Sequence, residues 1–278
     1  MIPVMVEELS ATVDGRATRY LEAGKGRPLI LLHAFPLSAD MWLSQLGYVP
    51  DGWRFIAPDL RGFGSSRNDA SSRRELNALL GMDDYAGDIL GLMNALSIET
   101  AVIGGLSMGG YVTFALFRRA PERFAGVILA DTKAQADTPD GLAGRRAMLE
   151  TLRTKGVKAV VDALLPKVVG ETTHRERPQV FADTRRLMEA NQSDAIDAAL
   201  HALMARPDST PDLGRIRCPA LVIVGQEDTV TPAADAELLA RSIPGTELVV
   251  LPRVGHLSNL EAPGDFSSAL RRFLSRAF

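Results

Sequence analysis

The stretch Ala101-Val102-Ile103-Gly104-Gly105-Leu106-Ser107-Met108-Gly109-Gly110 decides the fold of this 278-residue chain. It begins as an apolar run of strand length, and residues 111–117 continue it as an amphipathic helical run. A strand that turns sharply into a helix holds the residue at the turn in a strained backbone conformation and brings the two elements close together. We therefore expect Ser107 to stand on this strained turn, with Gly105 and Gly109 leaving room for the close approach.

Outside this stretch, short apolar runs alternate with segments of helical periodicity. This alternation predicts an α/β fold with a mostly parallel sheet and helices on both faces. The predicted strands are residues 28–33, 53–57, 101–104, 124–130, 220–224 and 247–251, and the predicted helices are 39–47, 83–96, 107–119, 232–242 and 263–276. Residues 6–21, centred on Asp14-Gly15, predict a hairpin that adds an antiparallel edge. Thr231 is the predicted N-cap of the helix that starts at Pro232.

A long segment without strand signals separates the predicted strands 124–130 and 220–224. Apolar residues recur in it at helical spacing, as at Val157, Val160 and Val161. We therefore predict a sheet-containing core made of residues 1–132 and 215–278, with a helical cap inserted at residues 133–214.

The composition is ordinary for a globular protein, with 46% hydrophobic and 23% charged residues. The net charge is −3, and Lys and Arg are spread along the chain, so no basic surface for nucleic acid is indicated. No apolar run reaches the ~20 residues of a membrane span, and the N-terminal residues lack a signal-peptide pattern. The single cysteine, Cys218, excludes an intramolecular disulfide and is interpreted as a half-buried structural thiol. We expect a cytoplasmic protein with no nucleic-acid or membrane partner.

A serine hydroxyl on such a strand-to-helix turn is a candidate nucleophile. Ser107 would lie at a helix N-terminus, where the Met108 amide points at developing negative charge. At the end of the first parallel strand, His33-Ala34-Phe35-Pro36 forms a loop that can bring the Phe35 amide to face the same turn. We predict that the amides of Phe35 and Met108 form an oxyanion hole and that His33 holds the loop in place.

A serine needs a base to accept its proton, and the chain has four histidines. His33 is assigned to the loop, and His174 and His201 fall in the predicted cap. His256 follows the last strand at its C-terminal end, which is the edge where ligands bind in α/β sheets. We therefore predict that His256 is the base.

Three carboxylates compete to orient the imidazole: Asp131, Glu227 and Asp228. Asp228 leaves the preceding strand at the catalytic edge, in a loop that enters Thr231-Pro232, and is the predicted acid. Asp131 also ends a strand there, but we expect it to start the cap as a capping or turn pair with Thr132. Glu227 is expected to point to solvent or to a local partner.

The loop of residues 57–66 contains an acid, a base and glycines. It lacks the helix-start geometry of a phosphate site, so we expect Asp59 and Arg61 to pair locally and fix the loop. The carboxylates and histidines show no metal-ligand spacing, and no dinucleotide fingerprint is present. We predict no metal and no cofactor.

In combination these segments resemble the α/β-hydrolase superfamily over essentially the whole chain. The landmarks are, in order, 33–36, 58–64, 105–110, 225–228 and 255–256. The resemblance implies an α/β-hydrolase fold and a Ser107–Asp228–His256 triad. Within the superfamily, the chain looks like the small bacterial esterases and the beta-ketoadipate enol-lactonase group. Many relatives have glycine at the position of Ala34, and the added methyl group bears on substrate size.

The expected function is hydrolysis of small carboxylic esters or lactones through an acyl-enzyme on Ser107. Phe35, Trp42 and Leu257 are predicted to line the substrate pocket with cap residues. Two alternatives use the same triad: a cofactor-free perhydrolase or haloperoxidase, and a hydrolase of carbon-carbon bonds. A third alternative, of another class, is a ligand-sensing binding protein on a hydrolase scaffold.

Overall fold

The computed structural model describes residues 5–66 and 81–278. Within them, eight strands form one sheet in the order β1-β2-β4-β3-β5-β6-β7-β8. The strands are β1 (Glu7–Val13), β2 (Arg16–Gly24), β3 (Arg27–Leu32), β4 (Trp53–Pro58), β5 (Ala101–Leu106), β6 (Phe124–Ala130), β7 (Ala220–Gly225) and β8 (Glu247–Leu251). Strand β2 pairs antiparallel with β1 and with β4, and every other pairing is parallel. The predicted mostly parallel sheet with an antiparallel edge is confirmed.

Burial along the strands explains their near-continuous apolar runs. Every residue of β5 and of β7 is buried, because both strands lie inside the sheet and are covered on both faces. Along β3, Ile30 and Leu32 face one apolar core while Leu29 and Leu31 face another, as the two-residue period of a strand requires. The sheet therefore has a packed core on each side.

The helices are named in chain order. They are α1 (Leu43–Leu46), α2 (Met82–Ala95), α3 (Met108–Arg119), α4 (Pro139–Val168), α5 (Glu171–Glu176), α6 (Pro178–Glu189), α7 (Ser193–Ala205), α8 (Ala233–Ser242), α9 (Ser258–Glu261) and α10 (Pro263–Ala277). Buried residues of α2, α3 and α8 belong to one core, and those of α10 belong to the other. Among the described residues, no helix is both long and apolar enough to cross a membrane.

Four of these helices, α4 to α7, lie between β6 and β7. Gly156, at φ 79°, interrupts the helical backbone of α4. The buried apolar residues Leu149, Leu152, Ile196 and Leu200 of α4 and α7 form a cluster of their own. This segment is as helical as the sequence predicts.

Two local predictions, a turn and a helix cap, have clear outcomes. Asp14 and Gly15 both adopt positive φ at the tip of the β1–β2 hairpin, which confirms the turn. The predicted N-cap at Thr231 is wrong: α8 begins at Ala233, Pro232 occupies the cap position, and the Thr231 hydroxyl donates elsewhere. The Thr231 hydroxyl is directed towards Asp228 and not towards the first amides of α8.

The predicted local pair of Asp59 and Arg61 is wrong. Asp59 accepts hydrogen bonds from Arg19 and from the Ala39 amide, whereas Arg61 bonds to Asp88 of α2. Asp59 is buried, and a buried carboxylate is stabilised by many donors, which here come from β2 and from the segments on either side. Asp59 also accepts from the amide of Ser65 (2.8 Å) in its own loop, so it holds that loop as predicted, but without Arg61.

The parallel strands bring the ends of several loops to one edge of the sheet. Ser107 follows β5, Asp131 follows β6, Asp228 follows β7 and His256 follows β8. Because all four strands run in the same direction, these residues meet at the C-terminal edge.

Candidate active site

Ser107 stands on a strained turn. Its backbone has φ 54° and ψ −112°, an unusual conformation for a non-glycine residue. The turn is held by two hydrogen bonds: the Ser107 amide donates to the Ala130 carbonyl (3.0 Å), and the Thr132 hydroxyl donates to the Ser107 carbonyl (2.9 Å). Strand β6 and the residues that follow it therefore hold the backbone of Ser107, which comes directly after β5.

Gly105 and Gly109 leave no room for a side chain, as predicted. A Cβ atom at Gly105 would lie 2.1 Å from the carbonyl carbon of Gly109, and one at Gly109 would lie 2.2 Å from the Leu32 carbonyl oxygen. Both obstacles are backbone atoms, which cannot rotate away. The glycines let α3 approach β3 and β5 closely enough to present Ser107.

His256 reaches the serine. Its Nε2 atom lies 2.8 Å from the Ser107 Oγ atom, and its side chain is 3% exposed. The separation is within hydrogen-bond range, so Nε2 can accept the hydroxyl proton. His256 lies after β8, as the sequence predicts.

Asp228 contacts the other ring nitrogen. Its Oδ2 atom lies 2.8 Å from His256 Nδ1 and also accepts from the Thr231 hydroxyl (2.7 Å), while Oδ1 accepts from the amides of Val230 and Thr231. An ionised carboxylate only accepts, so Nδ1 carries the proton and Nε2 is free to accept from the serine. Burial would raise the pKa of Asp228, but the electrostatic interaction with His256 and these hydrogen bonds outweigh it and lower that pKa.

Asp131 does not have the capping role that the sequence predicts for it. Its Oδ1 atom accepts from the Gly225 amide (2.9 Å), and its Oδ2 atom accepts from the Ser258 hydroxyl. Burial and the charge of Asp228 raise the pKa of Asp131 well above its ordinary value. It does not start the helical segment, because Thr138 is the N-cap of α4. Asp131 instead joins the loops that follow β7 and β8.

Glu227 is partly exposed, and its carboxylate bonds to a residue distant in sequence rather than to a local partner. Its carboxylate accepts from the amide (2.8 Å) and the hydroxyl of Thr172, at the start of α5. Burial would raise the pKa of Glu227, but the hydrogen bonds from Thr172 and the charges of Arg175 and Arg177 outweigh it, so that pKa lies below its ordinary value. This residue attaches the α4–α7 segment to the loop of Asp228.

The two amides predicted to form an oxyanion hole lie on the expected elements. Met108 is the first residue of α3, where the amide has no carbonyl partner within the helix. Phe35 lies in the loop after β3, and among the described residues its amide has no backbone acceptor. Ala34 is fully buried, and its amide donates to the Met41 sulfur (3.2 Å). The Ala34 amide therefore has a partner within the loop, whereas the Phe35 amide remains available to donate a hydrogen bond.

The three residues predicted to line the pocket occupy different surroundings. The Phe35 side chain packs against the apolar cluster of α4 and α7 and is partly exposed. Trp42 is 1% exposed and packs against Phe266 of α10, so it is a core residue. Leu257, next to His256, is also 1% exposed. Of the three, Phe35 links Ser107's edge of the sheet to the helical segment.

The other histidines are accounted for by local contacts. His33 accepts from the Leu60 amide through Nε2 (2.9 Å) and is fully buried, which lowers its pKa. It thus holds the loop, as predicted. His174 stacks on Phe181, and His201 lies beside Asp197, all within the α4–α7 segment. Cys218 is partly buried, as predicted, and no group of metal-binding side chains is found among the described residues.

Sequence reasoning missed three contributors to the site: Thr132, Thr231 and Glu261. Thr132 and Thr231 bond directly to Ser107 and Asp228, and Glu261 bonds to the amides beside His256. Each lies next to a strand end or a predicted element, but nothing local in its sequence distinguishes it. Only their proximity to Ser107, Asp228 and His256 in the folded chain identifies these three residues.

Three features together define the class of protein to which this chain belongs. They are the order of the strands in the sheet, the strained turn at Ser107, and the hydrogen bonds that join Ser107, His256 and Asp228. Residues 27–263 match the family described as alpha/beta hydrolase fold, and the chain belongs to that family. The predicted resemblance is confirmed.

Individual relatives extend over nearly the whole chain. The structure of a thermophilic esterase from Thermogutta terrifontis is 36% identical, with a TM-score of 0.89, and the match covers 98% of this chain and 99% of that chain. The 3-oxoadipate enol-lactonase 2 of Acinetobacter baylyi is 28% identical over 99% of both chains. A non-heme chloroperoxidase of Streptomyces lividans is 33% identical over 83% of this chain and 87% of its own length.

Proposed function

We propose that this protein hydrolyses small carboxylic esters or lactones through an acyl-enzyme formed on Ser107. The observation that carries the proposal is the continuous hydrogen-bonded arrangement in which His256 lies 2.8 Å from both Ser107 Oγ and Asp228 Oδ2. Serine is a weak nucleophile, and an adjacent oriented base is what activates it.

In the first step, Ser107 Oγ attacks the ester carbonyl as its proton passes to His256 Nε2. Asp228 stabilises the imidazolium and keeps the ring in the productive orientation. The amides of Phe35 and Met108 donate to the oxyanion of the tetrahedral intermediate. Its collapse breaks the ester bond, and the leaving alcohol takes the proton from His256.

In the second step, water attacks the acyl-enzyme and gives its proton to His256. The acid product leaves and Ser107 recovers its proton, so each turnover consumes one water and needs no cofactor in this scheme. With a lactone, the alcohol and the acid stay joined in one open-chain product.

We assign residues 133–214 as a cap over the catalytic edge, inserted into a core of residues 1–132 and 215–278. The support is the position of α4 to α7 between β6 and β7, and the packing of Phe35 against their apolar cluster. An apolar cluster beside the oxyanion loop favours an acyl group of modest size and little charge. The identities to an esterase and an enol-lactonase agree with this substrate class.

The test combines turnover with labelling. A panel of p-nitrophenyl esters of graded chain length, run beside lactones, should show hydrolysis. A sulfonyl fluoride or organophosphate should modify Ser107 stoichiometrically, because only an activated serine beside oxyanion donors reacts readily. Ser107→Ala should keep the fold, lose turnover and take up no label. An adduct found by mass spectrometry at another residue refutes the assignment.

A second candidate is perhydrolysis, in which hydrogen peroxide replaces water in deacylation and a peracid is released. The observation that favours testing it is the identity of 33% to a chloroperoxidase. Peracid formation from acetate and peroxide should be measured beside ester hydrolysis. A rate of peracid formation above that of hydrolysis assigns the site to perhydrolysis.

A further inference from the structure

The loop that carries His256 is held by a buried carboxylate that the reaction scheme leaves unused. Glu261 is 2% exposed. Its Oε2 atom accepts a hydrogen bond from the Gly255 amide (3.1 Å), and its Oε1 atom accepts one from the Leu257 amide (3.2 Å). These donors are the residues immediately before and after His256. One carboxylate therefore fixes the backbone on both sides of the imidazole.

The same carboxylate reaches the α4–α7 segment. Its Oε2 atom also accepts from the amide of Gly170, the N-cap residue of α5 (2.9 Å). The packing is close here, since a Cβ atom at Gly255 would lie 2.2 Å from the Gly170 nitrogen and 2.9 Å from Glu261 Oε1. Glu261 therefore lies between the loop of His256 and α5, and its carboxylate bonds to both.

The chemistry of this arrangement requires an acceptor-only group. In the part of the chain that the structure describes, the hydrogen bonds to the Glu261 carboxylate come from these three backbone amides. Arg177 donates to the backbone carbonyl of Glu261, not to its carboxylate. A glutamine side chain has the same shape but offers an NH₂ group, which would confront at least one amide donor. A buried donor left without an acceptor is costly, so the loop would have to move.

We propose that Glu261 is a positioning residue for catalysis, which sets the His256 imidazole within reach of Ser107 by fixing the amides of Gly255 and Leu257. This inference rests on the proposed function, because it assigns Glu261 a role through the base of that reaction. Glu261 does not touch the reacting atoms. Its effect is on the distance and angle between Nε2 and Oγ, to which proton transfer is highly sensitive.

The experiment compares Glu261→Gln with Glu227→Gln as the matched control. Glu227 likewise accepts from an α5 amide, that of Thr172 (2.8 Å), but its carboxylate bonds to neither neighbour of His256. Both variants make the same chemical change, and both loosen α5. Circular dichroism and thermal unfolding establish that each is folded, and kcat, KM and the rate of Ser107 phosphonylation are then measured.

We expect Glu261→Gln to lower kcat and the phosphonylation rate by about tenfold or more, because a His256 imidazole displaced from Ser107 Oγ accepts its proton less effectively. KM should stay within about twofold of the wild type, and Glu227→Gln should keep kcat within the same margin. Glu261→Asp carries the comparison if the glutamine variant does not fold, since it keeps the charge but withdraws it from the loop. It should show the same loss in kcat.

Two results overturn the proposal. A folded Glu261 variant with normal kcat shows that the loop needs no such support, and equal losses in the Glu261 and Glu227 variants show that the residue only attaches α5. A wild-type protein that neither hydrolyses esters nor labels at Ser107 overturns the proposed function itself, and this inference falls with it. Activity of the wild type therefore separates the two failures.

Discussion

The Oδ2 atom of Asp228 lies 2.8 Å from the Nδ1 atom of His256, whereas Asp131, which ends the neighbouring strand, bonds to Ser258 and the Gly225 amide. Both carboxylates lie at the same edge of the sheet and both are buried. Only Asp228 contacts the imidazole. This difference separates the carboxylate that bonds to the imidazole from one that joins loops.

Asp228→Asn should lower kcat by roughly three to four orders of magnitude, because an amide no longer favours the imidazole tautomer that accepts from Ser107. Asp131→Asn and Glu227→Gln should each cost far less. Steady-state kinetics on one p-nitrophenyl ester compares the three variants. A large loss at Asp131 with near-normal activity at Asp228 would move the acid to the end of β6.

The two aspartates should affect stability with opposite dependence on pH. The pKa of Asp228 is lowered in the folded protein, so its contribution is present above the ordinary aspartate pKa of about 3.9 and is lost as the pH falls below it. The pKa of Asp131 is raised, so its contribution is present below about 3.9 and is lost as the pH rises from there towards the raised value.

Urea unfolding of the wild type, Asp131→Asn and Asp228→Asn over a range of pH measures this contrast. The wild type should lose stability relative to Asp131→Asn as the pH rises above the ordinary aspartate value. Relative to Asp228→Asn, it should lose stability as the pH falls below that value. Parallel curves for the two variants would contradict the assigned shifts.

Gly105→Ala should destabilise the protein by about 3 kcal/mol, because its Cβ would lie 2.1 Å from backbone atoms of Gly109 and α3 would have to move. Gly144→Ala is the control. Gly144 lies in α4 with nothing within 4 Å of an added Cβ, so alanine there should stabilise by about 0.5–1 kcal/mol. Free energies of unfolding in urea test both values, and an unaffected Gly105→Ala would mean that the turn has room to relax.

Substitutions on the apolar face of the α4–α7 segment should change substrate choice more than catalytic competence. Met148 and Met204 pack against the cluster that Phe35 also contacts. Changing either to alanine should shift the preferred ester chain length, altering relative kcat/KM by about threefold to tenfold. Lys158→Ala, at an exposed position of α4, is the control and should leave the profile unchanged. An unchanged chain-length preference in both methionine variants would show that the segment does not act as a cap over the site.

Much of the fold follows from local sequence. The strand-turn-helix pattern around Ser107 and the Asp14-Gly15 hairpin each depend on residues that are neighbours in the chain, and each is found in the structure. Errors occurred where a polar side chain had several partners available. Asp59 and Arg61 were expected to bond to each other, but Asp59 bonds to Arg19, Ala39 and Ser65, and Arg61 bonds to Asp88 of α2.

The sequence by itself determined the parallel sheet, the glycine-lined turn and the identity of the serine and histidine, because apolar periodicity and steric limits act over a few residues. The sequence favoured Asp228 among three carboxylates, but tertiary structure alone decided what Asp131 and Glu227 bond to and which residue holds the loop of His256. Asp131, Asp228 and Glu261 are all buried acids near one edge of the sheet. Their roles differ only in which donors the folded loops bring within hydrogen-bond distance, and that depends on the packing of distant elements.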